Sequence, residues 1–272
     1  METPILIASA PNGARRTKAD HPRLPITAGE LVETAVACAE AGAGMMHFHI
    51  RDPHQRHSLD PEQYRRTLTE LEAAVGDRML LQVTSEAAGI YSQPEQIELM
   101  KRFAPHCISC GLREFIRDEG DLESASAFFS GLHDAGTLIQ YILYTPEEAG
   151  WFSKLCQQGA IPGSRHFLLF VFGRYTEQLA VLPHIDDFLR QLEHHRLPFS
   201  WMVCGFNLQE FEQAEAAAVR GGHIRVGFEN NCLNPDGNLT GDNSEQVRIM
   251  VSLAERHRRH PAGKDFAEGL YG

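Results

Sequence analysis

Strand-like and helix-like segments alternate eight times along this sequence, strand always first, with no break in composition between them. Alternation of this kind implies a parallel sheet, since each helix carries the chain back before the next strand begins. Eight such units fit a closed barrel better than an open sheet. The expected fold is therefore a (β/α)8 TIM barrel, α/β in class, occupying residues 1–272 as a single domain. The length of 272 residues suits it, because such barrels need about 250.

Strands are expected over Ile5–Ala8, through His47 and His49, and over Met79–Thr84, Cys107–Ser109, Thr137–Leu143, Phe167–Phe172, Ser200–Cys204 and His223–Val226. The run Phe167–Phe172 is nearly all apolar, as befits a strand covered on both faces. Several helix starts can be read from local chemistry. Thr27-Ala28-Gly29-Glu30 is a capping box, and the helix it opens runs to about Ala41, burying Leu31, Ala35 and Cys38. Asp60-Pro61 supplies an N-cap and a proline at the first helical position. Pro94 opens a helix ending near Phe103, and another is expected over 121–135. Thr145-Pro146-Glu147-Glu148 reads as a second capping box. Further helices are expected over 178–195, over Asn207–Arg220 with a cap at its start, and over 244–259. Residues 11–26 form a long polar connection after the first strand, with Asn12-Gly13 as a turn signal. Connections usually take about 4–6 residues, so this one is expected to be functional or a lid. Arg16 and Lys18 within it read as solvated.

The net charge of −11 argues against a nucleic-acid partner. The opening Met-Glu-Thr-Pro-Ile-Leu-Ile has no signal-peptide pattern, and no apolar run nears membrane-spanning length, so a soluble cytoplasmic protein is expected. Most of the six cysteines sit in apolar runs and read as buried thiols. Cys107-Ile108-Ser109-Cys110 has C-x-x-C spacing, but on a strand those two thiols face opposite sides, which speaks against a redox or zinc role.

Chemistry concentrates at two strand ends. His47 and His49 are two residues apart, so on a strand both project from one face. Among 14 histidines such a pair is a weak signal by itself. Glu229 strengthens it, in the run Arg225-Val226-Gly227-Phe228-Glu229-Asn230-Asn231 at the end of the last strand. In a closed barrel the eighth strand abuts the first, and the second lies on the first strand's other side. Two imidazoles and one carboxylate can then converge and leave a coordination position open, the logic of a catalytic zinc site.

Pro11-Asn12-Gly13-Ala14-Arg15, Leu24-Pro25-Ile26-Thr27, His47-Phe48-His49-Ile50-Arg51-Asp52 and the run Gly221–Glu229 resemble, in order, the β-keto acid cleavage enzymes. The resemblance covers almost the whole chain. It implies a β/α barrel with Zn2+ bound by His47, His49 and Glu229. It implies a reaction in which a β-keto acid and acetyl-CoA, the co-substrate, yield acetoacetate and a new acyl-CoA. It also implies a homo-oligomer, a tetramer in the family. Arg225 matches an arginine near the reacting centre, suited to pair with a substrate carboxylate. Thr84 and Ser109 match hydroxyl residues that bind substrate oxygens, the alternative being hydroxyls that cap the following turns. Arg15 falls where the family varies its substrate-binding residue, the alternative being a loop pair with Asp20. Two departures stand out. The family usually has Glu-Asp-Asn where this chain has Glu229-Asn230-Asn231, and a carboxamide cannot act as a general base. Where relatives carry glycines after the third strand, this chain has Ser85-Glu86-Ala87. Glu86 is therefore a candidate replacement base at the catalytic centre, unless it faces solvent. A metal-dependent barrel hydrolase and a metal-binding relative with lost or altered activity are the competing readings.

Overall fold

Eight parallel strands close into a barrel: β1 (Ile7–Ser9), β2 (Met45–Phe48), β3 (Leu80–Thr84), β4 (Cys107–Gly111), β5 (Leu138–Leu143), β6 (His166–Phe172), β7 (Phe199–Gly205) and β8 (His223–Val226). The computed structural model describes residues 3–173, 183–194 and 196–272. The barrel closes where Ile224, Arg225 and Val226 of β8 pair with Ile7, Ala8 and Ser9 of β1, and β1 pairs in turn with Met45 and Met46 of β2. This is the expected TIM barrel, with helices α1 (Ala28–Glu40), α2 (Pro61–Val75), α3 (Gln93–Phe103), α4 (Leu122–Asp134), α5 (Pro146–Gln157), α6 (Ile185–His194), α7 (Gln209–Arg220) and α8 (Asn243–Arg256) outside it. No helix among the described residues is long and apolar enough to cross a membrane.

The strand period of two sorts the side chains into two layers. Ala8, Met45, Leu80, Cys107, Phe167, Leu169, Met202 and Cys204 share one buried cluster inside the barrel. Their neighbours Ile7, Met46, Leu81, Ile108, Leu168, Phe170, Val203 and Ile224 join the larger cluster between barrel and helices. Cys107 and Cys110 therefore do face opposite sides, and burial pushes each thiol up to about 12. On α1, Leu31, Ala35 and Cys38 are the buried residues, and Thr27 and Glu30 form the reciprocal capping box. Asp60 caps α2 through the Gln63 N–H, with Pro61 in the first turn.

Local expectations fail where a distant side chain intervenes. The first strand is not one run over Ile5–Ala8. Thr3–Ile5 pairs outside the barrel with Arg259–Pro261, and Leu6 turns inward to donate its N–H to His223 Nδ1 at 3.1 Å. Thr145 caps α5 as expected, but Glu148 does not complete the box: it accepts from the Tyr144 N–H and from Arg113. Asn207 does not cap α7. It sits in the left-handed region at φ 56° and turns the chain through its backbone carbonyl, which accepts from Glu210. The helix expected over 178–195 is described from Ile185 to His194, and residues 178–182 and 195 lie outside the described residues. A single helical turn, Leu112–Phe115, replaces part of the expected loop after β4.

Candidate metal centre and active site

The C-terminal ends of the barrel strands open into a cavity of about 410 Å³. β2 brings His47 to its floor. His49 lies just beyond the strand, where the buried Asn12 carboxamide substitutes for a neighbouring strand: it accepts from the His49 N–H at 3.1 Å and donates to the His49 carbonyl at 2.9 Å. Asn12, read from sequence as a turn residue, thus fixes the second histidine.

Glu229 arrives from the other side of β1 through a tight turn. Gly227 adopts φ +145°, and a Cβ on it would lie 2.2 Å from the Ala10 carbonyl oxygen, so only glycine fits. That closeness lets the Glu229 N–H donate to the same Ala10 oxygen at 3.0 Å. Two helices hold the turn. Asn243 of α8 accepts from the Phe228 N–H at 2.9 Å, and Glu210 of α7 accepts from the Gly227 N–H and from Asn231 Nδ2. Glu210 is fully enclosed, and burial pushes its carboxyl up to about 8. Sequence reading missed it, because an acidic residue in a first helical turn ordinarily caps or faces solvent.

His47 Nε2 and His49 Nε2 are 3.2 Å apart, and Glu229 Oε2 lies 3.5 and 3.6 Å from them. Ligands about 2.0–2.1 Å from a tetrahedral zinc stand about 3.3 Å from one another, so the spacing fits such an ion. Glu229 Oε2 is buried and has no hydrogen-bond partner, while Arg225 Nη2 donates to its other oxygen at 3.1 Å. Burial lowers both histidines well below their ordinary value, helped at His47 by the Arg225 charge and at His49 by His47. Both rings are thus neutral, the form that ligates. Burial raises the Glu229 carboxyl against the pull of Arg225. A buried carboxylate beside two neutral imidazoles is an arrangement that a divalent cation satisfies.

The second nitrogen of each ring is also placed. His47 Nδ1 lies 2.9 Å from Gln82 Oε1. His49 Nδ1 lies 3.4 Å from His57 Nδ1, and His57 Nε2 lies 2.8 Å from the Glu86 carbonyl. A carbonyl only accepts, so His57 carries its proton on Nε2 and offers Nδ1 to His49. His57 was not singled out from sequence, since nothing local links it to the His47-Phe48-His49 run.

The remaining sequence candidates line the cavity in different ways. Arg225 also donates to Asn230 Oδ1 at 3.2 Å, which engages the carboxamide. Thr84 lies on the wall, and its hydroxyl accepts from the Glu86 N–H at 3.0 Å, the turn-capping role. Ser109 also lines the cavity, and its buried hydroxyl has no partner. Glu86 points inward rather than to bulk solvent, with Oε2 3.8 Å from His49 Nδ1. Burial, then Glu229 and Glu114, push its carboxyl up to about 8. Arg15 reaches the cavity mouth, while Asp20 accepts from the N–H and hydroxyl of Thr17.

Arg16 is not solvated as expected. It donates to Cys232 Sγ at 2.7 Å and to the Asn230 carbonyl at 3.0 Å. Lys18 is exposed, as expected, with its ammonium on the Leu24 carbonyl and Glu30. Arg51 donates to the carbonyls of Gly13 and Arg16, and the His21 ring lies tilted against Phe228 with centroids 4.0 Å apart. The long connection is therefore pinned to the strand-eight turn, not hinged as a lid. The helical turn after β4 adds Arg113 and Glu114 to the wall. Arg113 pairs with Glu148 and lies 4.2 Å over the Tyr144 ring. One turn of helix is too short to announce itself by periodicity.

A profile of the β-keto acid cleavage enzyme family matches residues 4–272. The chain is 28% identical over 271 residues to a 3-keto-5-aminohexanoate cleavage enzyme of Fusobacterium nucleatum, a match spanning 98% of this chain and 97% of that one. It is 25% identical over 288 residues to a 3-oxoadipate:acetyl-CoA acetyltransferase of Cupriavidus necator, spanning 100% and 96% of the two chains. Among solved structures, apo ObcA shares the fold with a TM-score of 0.70 at 14% identity, over 92% of this chain and 66% of ObcA. The barrel thus spans just under two thirds of that protein.

Proposed function

The chain belongs to the β-keto acid cleavage enzyme family, and from that premise we propose that it cleaves a β-keto acid with acetyl-CoA, giving acetoacetate and a new acyl-CoA. The observation that carries the reading is the convergence of His47, His49 and Glu229, two of which, His47 and Glu229, line the cavity. We assign them to zinc, whose Lewis acidity polarises a β-keto carbonyl. Arg225 binds the substrate carboxylate beside them, and the Ser109 and Thr84 hydroxyls bind substrate oxygens. Ser109 supports this best, as a buried hydroxyl without a partner is costly unless a ligand engages it. The family resemblance extends the reading to a homotetramer. The test is a panel of β-keto acids with acetyl-CoA, following acetoacetate. No acetoacetate from any member of the panel would sink the reading.

Glu86 takes the proton in this reading, in place of the acid that Asn230 lacks; it does so in its ionised form, which burial and Glu229 oppose and which the charge of a bound Zn2+ would favour. A base must come within about 3 Å of its proton, directly or through one water, and Glu86 faces the cavity beside His49. Glu86→Gln is expected to lower kcat by roughly 10²–10⁴-fold with zinc content unchanged, and Asn230→Asp to leave kcat near the parent. A rise far above the parent in Asn230→Asp would instead mark Asn230 as the lesion and Glu86 as a bystander.

Arg15 sets the tail of the substrate. Its guanidinium at the cavity mouth repels an ammonium and favours a distal carboxylate or hydroxyl. Arg15→Glu should shift the ratio of kcat/KM between anionic and amino-bearing keto acids by about ten- to a hundredfold, or ~1.4–2.7 kcal/mol. An unchanged ranking of substrates would remove Arg15 from the binding site.

A further inference from the structure

The barrel interior is apolar at most levels, but not at its centre. Gln82 of β3 and Gln140 of β5 are both fully buried. Gln82 Oε1 faces His47 Nδ1, as described. Its Nε2 donates to Gln140 Oε1 at 3.2 Å and to the Tyr271 hydroxyl oxygen at 3.1 Å. Tyr271 follows the short helix Lys264–Gly269 and belongs to the buried cluster that fills the barrel from the end opposite the cavity. Its ring packs on Phe167 at 5.0 Å, and its hydroxyl lies 3.3 Å from Cys107 Sγ. A continuous line of contacts therefore joins the far end of the barrel to the metal-facing ring.

The direction of that line follows from what each group can do. A carboxamide has one accepting end and one donating end. Gln140 turns its Nε2 to Met202 Sδ at 3.9 Å and so presents Oε1 to Gln82; with that acceptor in place, turning the Gln82 amide over would set oxygen against oxygen. Gln82 Oε1 therefore stays toward His47 and requires the ring's proton on Nδ1. The Nε2 lone pair is left facing His49 and Glu229. Partners on the second nitrogen of a metal-binding histidine fix both its tautomer and its orientation.

We propose that Gln82 and Tyr271 are positioning residues for the metal centre, a relay along the barrel axis that sets the tautomer and aim of His47. The proposal rests on the zinc reading above. It makes a tyrosine at the opposite end of the barrel a determinant of metal affinity.

The test measures zinc affinity by competition with a chromophoric chelator, using the whole chain and the variants Gln82→Met, Tyr271→Phe and both together. Methionine keeps the approximate shape of glutamine without its acceptor. Phenylalanine keeps the ring on Phe167 and loses only the hydroxyl. Gln82→Met is expected to weaken zinc binding about 10–100-fold, the usual result of losing such a partner. Tyr271→Phe should weaken it a few-fold, and the double variant should bind no more weakly than Gln82→Met, because both substitutions act through one group. Parent-like affinity in either single variant, or additive losses in the double, overturns the relay. Nitrogen-15 shifts in metal-free protein give a second readout: His47 protonated on Nδ1 in the parent, and mixed or Nε2-protonated in Gln82→Met. Protonation on Nδ1 in every variant overturns the relay as well. A parent that binds no zinc removes the metal assignment instead, and the nitrogen shifts then decide the relay alone.

Discussion

Protein purified without added metal is expected to carry one zinc per chain, and His47→Ala/His49→Ala to carry none and to lose activity roughly a thousandfold or more. The magnitude follows from the task. A Lewis acid that polarises a carbonyl would supply several kcal/mol, and each ~1.4 kcal/mol is a factor of ten in rate. The double variant should still fold, because Arg225 continues to pair with the remaining carboxylate at 3.1 Å. Elemental analysis beside circular dichroism reads both expectations at once. Full zinc in a folded double variant would sink the ligand assignment.

Gly227→Ala is expected to be the most damaging single substitution away from the ligands. Its Cβ would meet the Ala10 carbonyl oxygen at 2.2 Å, a backbone atom that cannot move without opening the β8–β1 seam, and the φ of +145° is foreign to alanine. The backbone strain alone costs about 1–3 kcal/mol, and the displaced Ala10 bond adds to it. A loss of about 3 kcal/mol corresponds to a Tm lower by roughly 6–12 °C for a protein of this size. Because Glu229 hangs on that Ala10 bond, zinc affinity should fall along with Tm. Gly221→Ala supplies the control. That glycine also has positive φ, at +83°, but open space around it, so only conformational strain of about 1 kcal/mol is expected and metal binding should be unaffected. Equal losses in the two variants would show that the Ala10 contact does not matter.

What could be read before the structure was whatever depends on neighbours in sequence. The alternation of strand and helix, the Thr27–Glu30 box, the Asp60-Pro61 start and the opposed faces of Cys107 and Cys110 all follow from periods of 2 and 3.6. Placing His47 near Glu229 needed only the closure of eight strands. What escaped depends on partners far along the chain. His223 takes the Leu6 N–H and splits the first strand. Arg113 draws Glu148 away from its expected capping partner. Arg16 looks like a loop arginine until the strand-eight turn is beside it. Glu210, Asn12 and Gln82 are polar residues whose burial is invisible locally, and each acquires its role from a backbone or ring brought to it by the fold.

The seam between β8 and β1 has a consequence for how the protein is made. The two histidines leave the ribosome early, while the carboxylate that joins them across β1 comes with the last barrel strand. A nascent chain holding only the first half has an incomplete set of donors and no closed ring to aim them. Loading of the proposed ion would therefore be a late event that follows ring closure. On the zinc assignment proposed above, an ion bridging β2 and β8 would act as a clasp on the join between the chain's earliest and latest strands. Ligand bound only by the closed form raises its stability in proportion to the logarithm of ion concentration. Cells short of the metal should thus accumulate barrels that are easier to open at that join and quicker to be degraded.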